Sequence, residues 1–299
     1  MTSLRLPHGI YPYLVSPTDD EGRIDTAVLA RLVDDLIHAG VDGLTPLGST
    51  GEVIYLTQEQ RRQVVETTLE AAAGRVPVVP GVAAFSIEDG VQQARTWQDL
   101  GAAGIVVMRQ NGFATSEEGA LTYFERIADA VSIPVVLYTN PALLGTDFTT
   151  AGLLRLAERP NIRYIKDATG DTGRILSLLN HVGDKLEIFS ASAHIPAIVF
   201  LLGGVGWMAG PACVIPRAAK KLRDLVLAGD IDAALELQRT LWPINEAFRK
   251  YPLAACIKTA LKLRGYAVGS PIAPQQPLGA DAEREIEQAL AAADAAVAP

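Results

Sequence analysis

The chain has only two cysteines in 299 residues, Cys213 and Cys256, and they stand far apart. That number and spacing exclude a disulfide framework, and no thiol pair has metal or redox spacing. Both read as reduced, buried thiols. The four histidines, His8, His38, His181 and His194, show no ligand-like spacing, and H-E-x-x-H is absent. Neither G-x-G-x-x-G nor a Walker A motif occurs, which removes the usual marks of a dinucleotide or P-loop fold. No apolar run approaches the roughly 20 residues of a membrane span. The first residues, Met1-Thr-Ser-Leu-Arg-Leu-Pro7, carry no signal-peptide core. There is no long block of one charge. The net charge of -8 and the pI near 5.1 argue against a nucleic-acid partner and against an anionic membrane surface. The expectation is a cytoplasmic enzyme-sized protein with small-molecule partners.

Hydrophobic residues make up 49% of the chain, enough for an extensive core. Strand-like and helix-like segments alternate. The expected strands are Ile10–Val15, Gly43–Pro46, Val78–Gly81, Gly104–Met108, Val135–Tyr138, Ile162–Lys166, Leu186–Phe189 and Gly206–Ala209. They are short and apolar, as in a parallel sheet covered on both faces. Amphipathic helical patterns separate them. Asp25–Ala39 repeats apolar residues at helical spacing. Thr57 with Gln60 reads as a capping box. Eight such units predict an α/β protein of the (β/α)8 TIM-barrel class over residues 1–229. A doubly wound sheet is the alternative. Beyond Gly229 only helical patterns follow, so residues 230–299 are expected to form a helical C-terminal extension packed on the barrel. The Ala-rich end, Ala291–Pro299, is expected to fray.

Barrel chemistry sits at the C-terminal ends of the strands. The sixth expected strand ends in Lys166, followed by Asp-Ala-Thr-Gly-Asp171. Burial of a lysine depresses its pKa and yields a neutral nucleophile. The alternative is a lysine that snorkels to water or pairs with Asp167. The fifth strand ends in Tyr138-Thr-Asn-Pro141, which aims a phenol at the same cavity, unless Tyr138 is only a core aromatic. The second runs into Gly48-Ser-Thr-Gly-Glu52, whose hydroxyls and amides suit a carboxylate or phosphate oxygen. It also reads as a hydroxyl-capped turn, with Glu52 as a brace. Amine, phenol and hydroxyl loop together predict Schiff-base chemistry on a 2-oxo acid. That chemistry needs no metal or cofactor.

Gly48-Ser-Thr-Gly-Glu52, Tyr138 with Pro141, and Lys166-Asp-Ala-Thr-Gly-Asp171 together resemble the dihydrodipicolinate synthase/N-acetylneuraminate lyase superfamily. The resemblance runs from about Ile10 to Pro277. It implies a pyruvate-type class I aldolase on a barrel, assembled as a homotetramer, a dimer of dimers. It implies Lys166 as the imine-forming lysine and Tyr138 as the proton-transfer phenol. It implies Ser49 and Thr50, with Gly48 and Met208, at the oxo-acid carboxylate. The departures bear on the second substrate. The synthases commonly carry an arginine shortly after the Tyr138 position; here the segment is Pro141-Ala-Leu-Leu-Gly145. They commonly carry a tyrosine pair where this chain has Arg109-Gln-Asn-Gly-Phe113. The neuraminate lyases carry acidic residues where this chain has Ser190-Ala-Ser-Ala-His194. The expected second-substrate pocket is therefore neutral, with Phe113, Leu143, Leu144, Ser190 and Ser192 as candidate lining; Arg109 is the only cation in these loops apart from Lys166, and turning to solvent is its alternative.

These readings predict a lyase that makes or breaks a carbon–carbon bond between a 2-oxo acid and an aldehyde, and that is not a true dihydrodipicolinate synthase. A dehydratase acting on a 2-keto-3-deoxy sugar acid through the same imine is the alternative within the family. A non-catalytic barrel that binds an oxo acid, or an unrelated barrel hydrolase or isomerase with a structural Lys166, are the alternatives outside it.

Overall fold

The computed structural model describes residues 5–141, 145 and 147–298. Seven strands form one parallel sheet: β1 (Gly9–Pro12), β2 (Gly81–Ala84), β3 (Ile105–Arg109), β4 (Val135–Thr139), β5 (Ile162–Asp167), β6 (Glu187–Ser190) and β7 (Gly206–Ala209). Their order is β1-β7-β6-β5-β4-β3-β2. The segment expected as a strand at Gly43–Pro46 fills the gap between β1 and β2. It does so through single bridges, Tyr13 to Thr45 and Leu44 to Val78, rather than a ladder. Leu14 N–H donates to Thr45 O at 3.0 Å and Val79 N–H to Leu44 O at 2.8 Å, so the sheet closes into a barrel. Pro46, Pro77 and Pro80 lack N–H donors and keep this seam short. For the same reason the strand expected at Val78–Gly81 begins its ladder with β3 only at Gly81.

Helices cover the outside: α1 (Thr26–His38), α2 (Gln58–Ala72), α3 (Ile87–Asp99), α4 (Glu117–Ala128), α5 (Thr150–Leu156), α6 (Thr172–Val182), α7 (Pro196–Leu201) and α8 (Pro216–Ala228). Side-chain caps start most of them. Asp25, Ser86, Ser116, Thr149 and Asp171 each accept an N–H of the first turn, and Thr57 with Gln60 forms the full capping box. Each cap contributes about 1 kcal/mol. Three further helices, α9 (Ile231–Lys250), α10 (Leu253–Leu263) and α11 (Ala280–Ala295), pack on α7, α8 and one another. The expected fraying from Ala291 does not occur at its start: α11 continues to Ala295, because Leu290 and Ala293 bury against the helices beneath. Among the described residues no helix is long and apolar enough to cross a membrane.

Register decides which side chains enter the barrel. Tyr138 pairs with Lys166, and Lys166 with Phe189. Phe189 pairs with Gly206, two residues before Met208, and Met208 pairs with Tyr11. Partners at one level of a parallel sheet share a face. Tyr138, Lys166, Phe189, Met208 and Tyr11 thus line the interior. Thr139, Asp167, Ser190 and Trp207 form the alternate row, which turns to the helices.

Candidate active site

Lys166 is 5% exposed, yet it makes no ion pair among the described residues. Its Nζ lies 3.9 Å from the centroid of the Tyr138 ring and 4.2 Å from that of Tyr13. Desolvation pushes the amine down to about 7. The alternative, that it pairs with Asp167, fails on geometry. Asp167 is the next residue and so points to the opposite face. There its carboxylate accepts from Arg174 Nε at 2.8 Å and from the Thr169 hydroxyl at 2.6 Å.

The chain has a second buried lysine. Lys258, on α10, is 1% exposed and sits 2.6 Å from the Glu52 carboxylate. Of these two amines, only Lys166 is buried without a carboxylate to hold its proton.

Tyr138 is buried, and burial raises its phenol pKa. Two side chains address that phenol. Asn140 Nδ2 donates to it at 3.0 Å, and the Ser49 side chain stands close enough to oppose part of the rise that burial causes. The loop after Thr45 therefore reaches the lysine–tyrosine pair. Its shape depends on close approach: a Cβ at Gly48 would lie 2.1 Å from the Tyr13 ring, and one at Gly51 would lie 2.9 Å from Leu14 O. The Ser16 hydroxyl donates to Gly51 O at 2.8 Å. Thr50 is buried, and a Cβ at Gly210 would lie 2.9 Å from its Oγ1. Glu52 is the brace that the sequence allowed. Its Oε1 accepts from Ile272 N–H at 2.6 Å and from Gln275 Nε2 at 2.8 Å.

The structure thus brings Lys166, Tyr138, Ser49 and the Gly48–Thr50 loop together, with Met208 on the same interior face. The expected second-substrate residues fare differently. Register places Ser190 on the row that turns to the helices, and Arg109 at the level of Thr139 on that same row. Arg109 is buried, and its Nη1 donates to Thr115 Oγ1 at 3.1 Å and Gln110 O at 3.3 Å. These bonds tie its Nη1 to the loop after β3. Ser190 is fully buried, and its hydroxyl donates to Ala191 O at 3.4 Å. A shift of one residue along a strand reverses its face, which is why strand-end position alone misplaced both. Phe113 is 90% exposed. Ser192 is half-buried, and its carbonyl accepts from Asn245 of α9 at 2.9 Å. Leu143 and Leu144 lie outside the described residues.

The structure also adds residues that the sequence did not single out. Tyr13 forms one wall of the Lys166 site, and its Oη is buried with no hydrogen-bond partner among the described residues. The signal was present in Tyr11-Pro12-Tyr13, at the end of the first strand. His194 is buried behind the Lys166 strand, its Nε2 3.7 Å from Asp167 Oδ1, and desolvation lowers its pKa. Among the described residues no group of three or more His, Cys, Asp and Glu is arranged to hold a metal.

Comparison with known proteins gives one family. The family model described as "Dihydrodipicolinate synthetase family" matches residues 6–293. The 4-hydroxy-tetrahydrodipicolinate synthase of Acidiphilium cryptum is 31% identical over 283 residues, 95% of this chain and 97% of that protein. The synthase of Pelobacter propionicus is 34% identical over 271 residues, 91% of this chain and 93% of that one. Among solved structures, the prophage protein YagE of E. coli K12, a member of the dihydrodipicolinic acid synthase family in complex with pyruvate, superposes with a TM-score of 0.91. It is 31% identical, with 97% of this chain and 99% of that chain covered. The chloride-inhibited dihydrodipicolinate synthase of Acinetobacter baumannii, also complexed with pyruvate, gives 0.91 at 28% identity, covering 97% and 99%.

Proposed function

This chain belongs to the dihydrodipicolinate synthetase family, an enzyme family of lyases, and we propose that it is a Schiff-base aldolase joining pyruvate or another 2-oxo acid to an aldehyde, or cleaving the product. One observation carries this reading: Lys166 is buried without a carboxylate partner and lies against the Tyr138 ring.

The neutral Nζ of Lys166 attacks the C2 carbonyl carbon of the oxo acid. Tyr138 delivers a proton to the departing oxygen, water leaves, and a protonated imine remains. The imine draws electrons from C3. The phenolate left on Tyr138 takes a C3 proton, and the resulting enamine attacks the aldehyde carbon. The alkoxide formed takes a proton from the phenol, and water then hydrolyses the imine to release product and the free lysine. Ser49 and Thr50 hold the oxo-acid carboxylate beside this chemistry, where fixed dipoles do not need to reorganise. The raised pKa of Tyr138 suits it to stay protonated until an alkoxide or carbinolamine oxygen calls for the proton.

The second substrate is an aldehyde without a carboxylate near the reacting carbon. This finer reading is supported by the sequence Pro141-Ala-Leu-Leu-Gly145 after Tyr138 and by Arg109 bracing its own loop. The same proposal places the enzyme in the cytoplasm as a homotetramer. Borohydride reduction in the presence of pyruvate tests the core of the proposal. One pyruvate-derived adduct per chain is expected, mapping to Lys166 and absent from Lys166→Ala. An adduct on Lys258, or one that survives in Lys166→Ala, would remove the assignment.

A further inference from the structure

The loop that carries Ser49 and Thr50 is bounded by two non-glycine residues in the left-handed region, Leu47 at φ 61° and Glu52 at φ 54°. Such residues are held there by surrounding contacts rather than by local preference. At Glu52 those contacts come from the far end of the chain. Its Oε1 accepts from Ile272 N–H and the Gln275 side chain, and its Oε2 meets Lys258 Nζ at 2.6 Å. Lys258 Nζ also donates to Ser270 O at 2.8 Å. The 268–275 segment is itself fixed to the barrel. Gly269 has φ +73°, and a Cβ there would lie 2.2 Å from Thr18 O, while Thr18 N–H donates to Val268 O at 3.4 Å. Helix α10 approaches the loop a second time at Gly210, where a Cβ would meet Ile257 at 2.4 Å and Thr50 Oγ1 at 2.9 Å.

We propose that Glu52 and Lys258 are positioning residues for the oxo-acid loop, so that the strap 268–275 and helix α10 set where the Ser49 and Thr50 hydroxyls stand relative to Tyr138 and Lys166. The proposal rests on the reading of that loop as the carboxylate site.

Two physical arguments favour a functional role over simple stabilisation. A buried ion pair contributes little net stability compared with apolar side chains of the same size, but it fixes geometry through directional bonds. Glu52 is 2% exposed, its carboxylate accepts from two separate donors and it meets a buried ammonium, so the backbone turn it anchors has little freedom. Second, Glu52 stands two residues from Thr50. An unneutralised carboxylate there would repel the anion the loop is to bind, through a poorly screened interior. The Lys258 ammonium cancels that charge. The chain of contacts then runs from the strap to Glu52, whose N–H donates to Ser49 O at 3.2 Å, and Ser49 in turn stands beside the Tyr138 phenol.

The test is pyruvate-dependent borohydride trapping on the full-length protein, read as half-saturating pyruvate and as maximal trapping rate. Lys258→Met is expected to raise half-saturating pyruvate roughly tenfold or more, with the maximal rate changed less than about threefold, the pattern of lost ground-state binding. Lys258→Arg should recover most of the loss, since it restores the charge. Gln275→Ala removes one donor at the partly exposed edge of the strap. It should raise half-saturating pyruvate a few-fold with an unchanged circular dichroism spectrum, and it serves if Lys258→Met fails to fold. Thr50→Ala is the control on the loop itself. If Thr50→Ala raises half-saturating pyruvate but Gln275→Ala and the folded Lys258 variants leave it within about twofold, the positioning role is wrong. A fall in maximal rate alone would overturn it too. If Thr50→Ala and Ser49→Ala both leave pyruvate binding untouched, the carboxylate-loop reading fails, and this proposal with it.

Discussion

Tyr138 and Lys166 are register partners on adjacent parallel strands, and the Lys166 Nζ lies 3.9 Å from the centroid of the tyrosine ring. The ring face attracts a cation, which favours the protonated amine. Burial opposes it, and desolvation pushes the amine down to about 7. The pair therefore joins a readily deprotonated amine to a phenol whose own proton is held more firmly than usual.

The first consequence is the pH dependence of imine formation. Only the neutral amine attacks, so the rate should rise about tenfold per pH unit below 7 and level off above roughly pH 8. Tyr138, raised by burial, should add no descending limb in the neutral range. The measurement is kcat/KM for pyruvate across roughly pH 5.5 to 9.5. An ascending limb still climbing at about pH 9 would mean that Lys166 keeps an ordinary lysine pKa and that the buried site does not activate it.

The same depressed pKa predicts a stability effect. The folded pKa lies below the unfolded one, so between about pH 7 and 10.5 the unfolded chain binds more protons at this site. Stability contributed by Lys166 therefore rises with pH through that window and is lowest at and below pH 7. A tenfold change in proton affinity corresponds to about 1.4 kcal/mol, which makes the penalty at neutral pH a few kcal/mol. Lys166→Met should accordingly be more stable than the parent at about pH 7, and the difference should narrow toward about pH 10. Denaturant titrations of both proteins at the two pH values measure it. A parent that is the more stable of the two at neutral pH would contradict the buried, partly neutral lysine.

Removing the phenol separates proton transfer from binding. Tyr138→Phe should lower turnover by about 10²–10⁴-fold, the range for a positioned acid or base. Pyruvate binding should weaken far less, because Thr50 and the Glu52 anchor are untouched. Asn140 loses an acceptor, so a stability loss of about 1–3 kcal/mol should accompany the change. Turnover within about fivefold of the parent would return Tyr138 to the role of a core aromatic.

Strand ends were legible because the apolar runs stop at polar or turn-forming residues, Asp-Ala-Thr-Gly after Lys166 and Thr-Asn-Pro after Tyr138. The face of each strand was not legible to the same degree. Arg109 and Ser190 end their strands one residue beyond the interior row, and alternation turns them toward the helices. The seam at Leu44 and Thr45 looked like a full strand because its apolar pattern is one, but the prolines around it withhold the donors a ladder needs. The Glu52 anchor lay beyond local reading altogether, since its partner Ile272 is 220 residues away in sequence. His194 carried no motif. Its place beside Asp167 arises only when the loop after β6 packs against the end of β5.

The preference for the second substrate is the sharpest remaining test. An aldehyde bearing a carboxylate needs a cation or several hydrogen bonds, and bidentate arginine is the usual provider. The sequence after Tyr138 supplies Ala142, Leu143 and Leu144 instead. Arg109 is the alternative cation in the strand-end loops, but register turns it to the helix-facing side of β3, where its Nη1 donates to Gln110 O and Thr115 Oγ1. A carboxylate left without such partners costs several kcal/mol, or roughly 10²-fold and more in specificity. Neutral aldehydes should therefore exceed aspartate semialdehyde in kcat/KM when each is offered with pyruvate. Arg109→Ala should leave the ranking unchanged and act only by loosening the 110–115 loop. If aspartate semialdehyde ranks first and Arg109→Ala removes that rank, the guanidinium turns inward during turnover and the argument from register fails. If it ranks first and Arg109→Ala does not alter this, another group receives the carboxylate, and the neutral-pocket reading is wrong at its root.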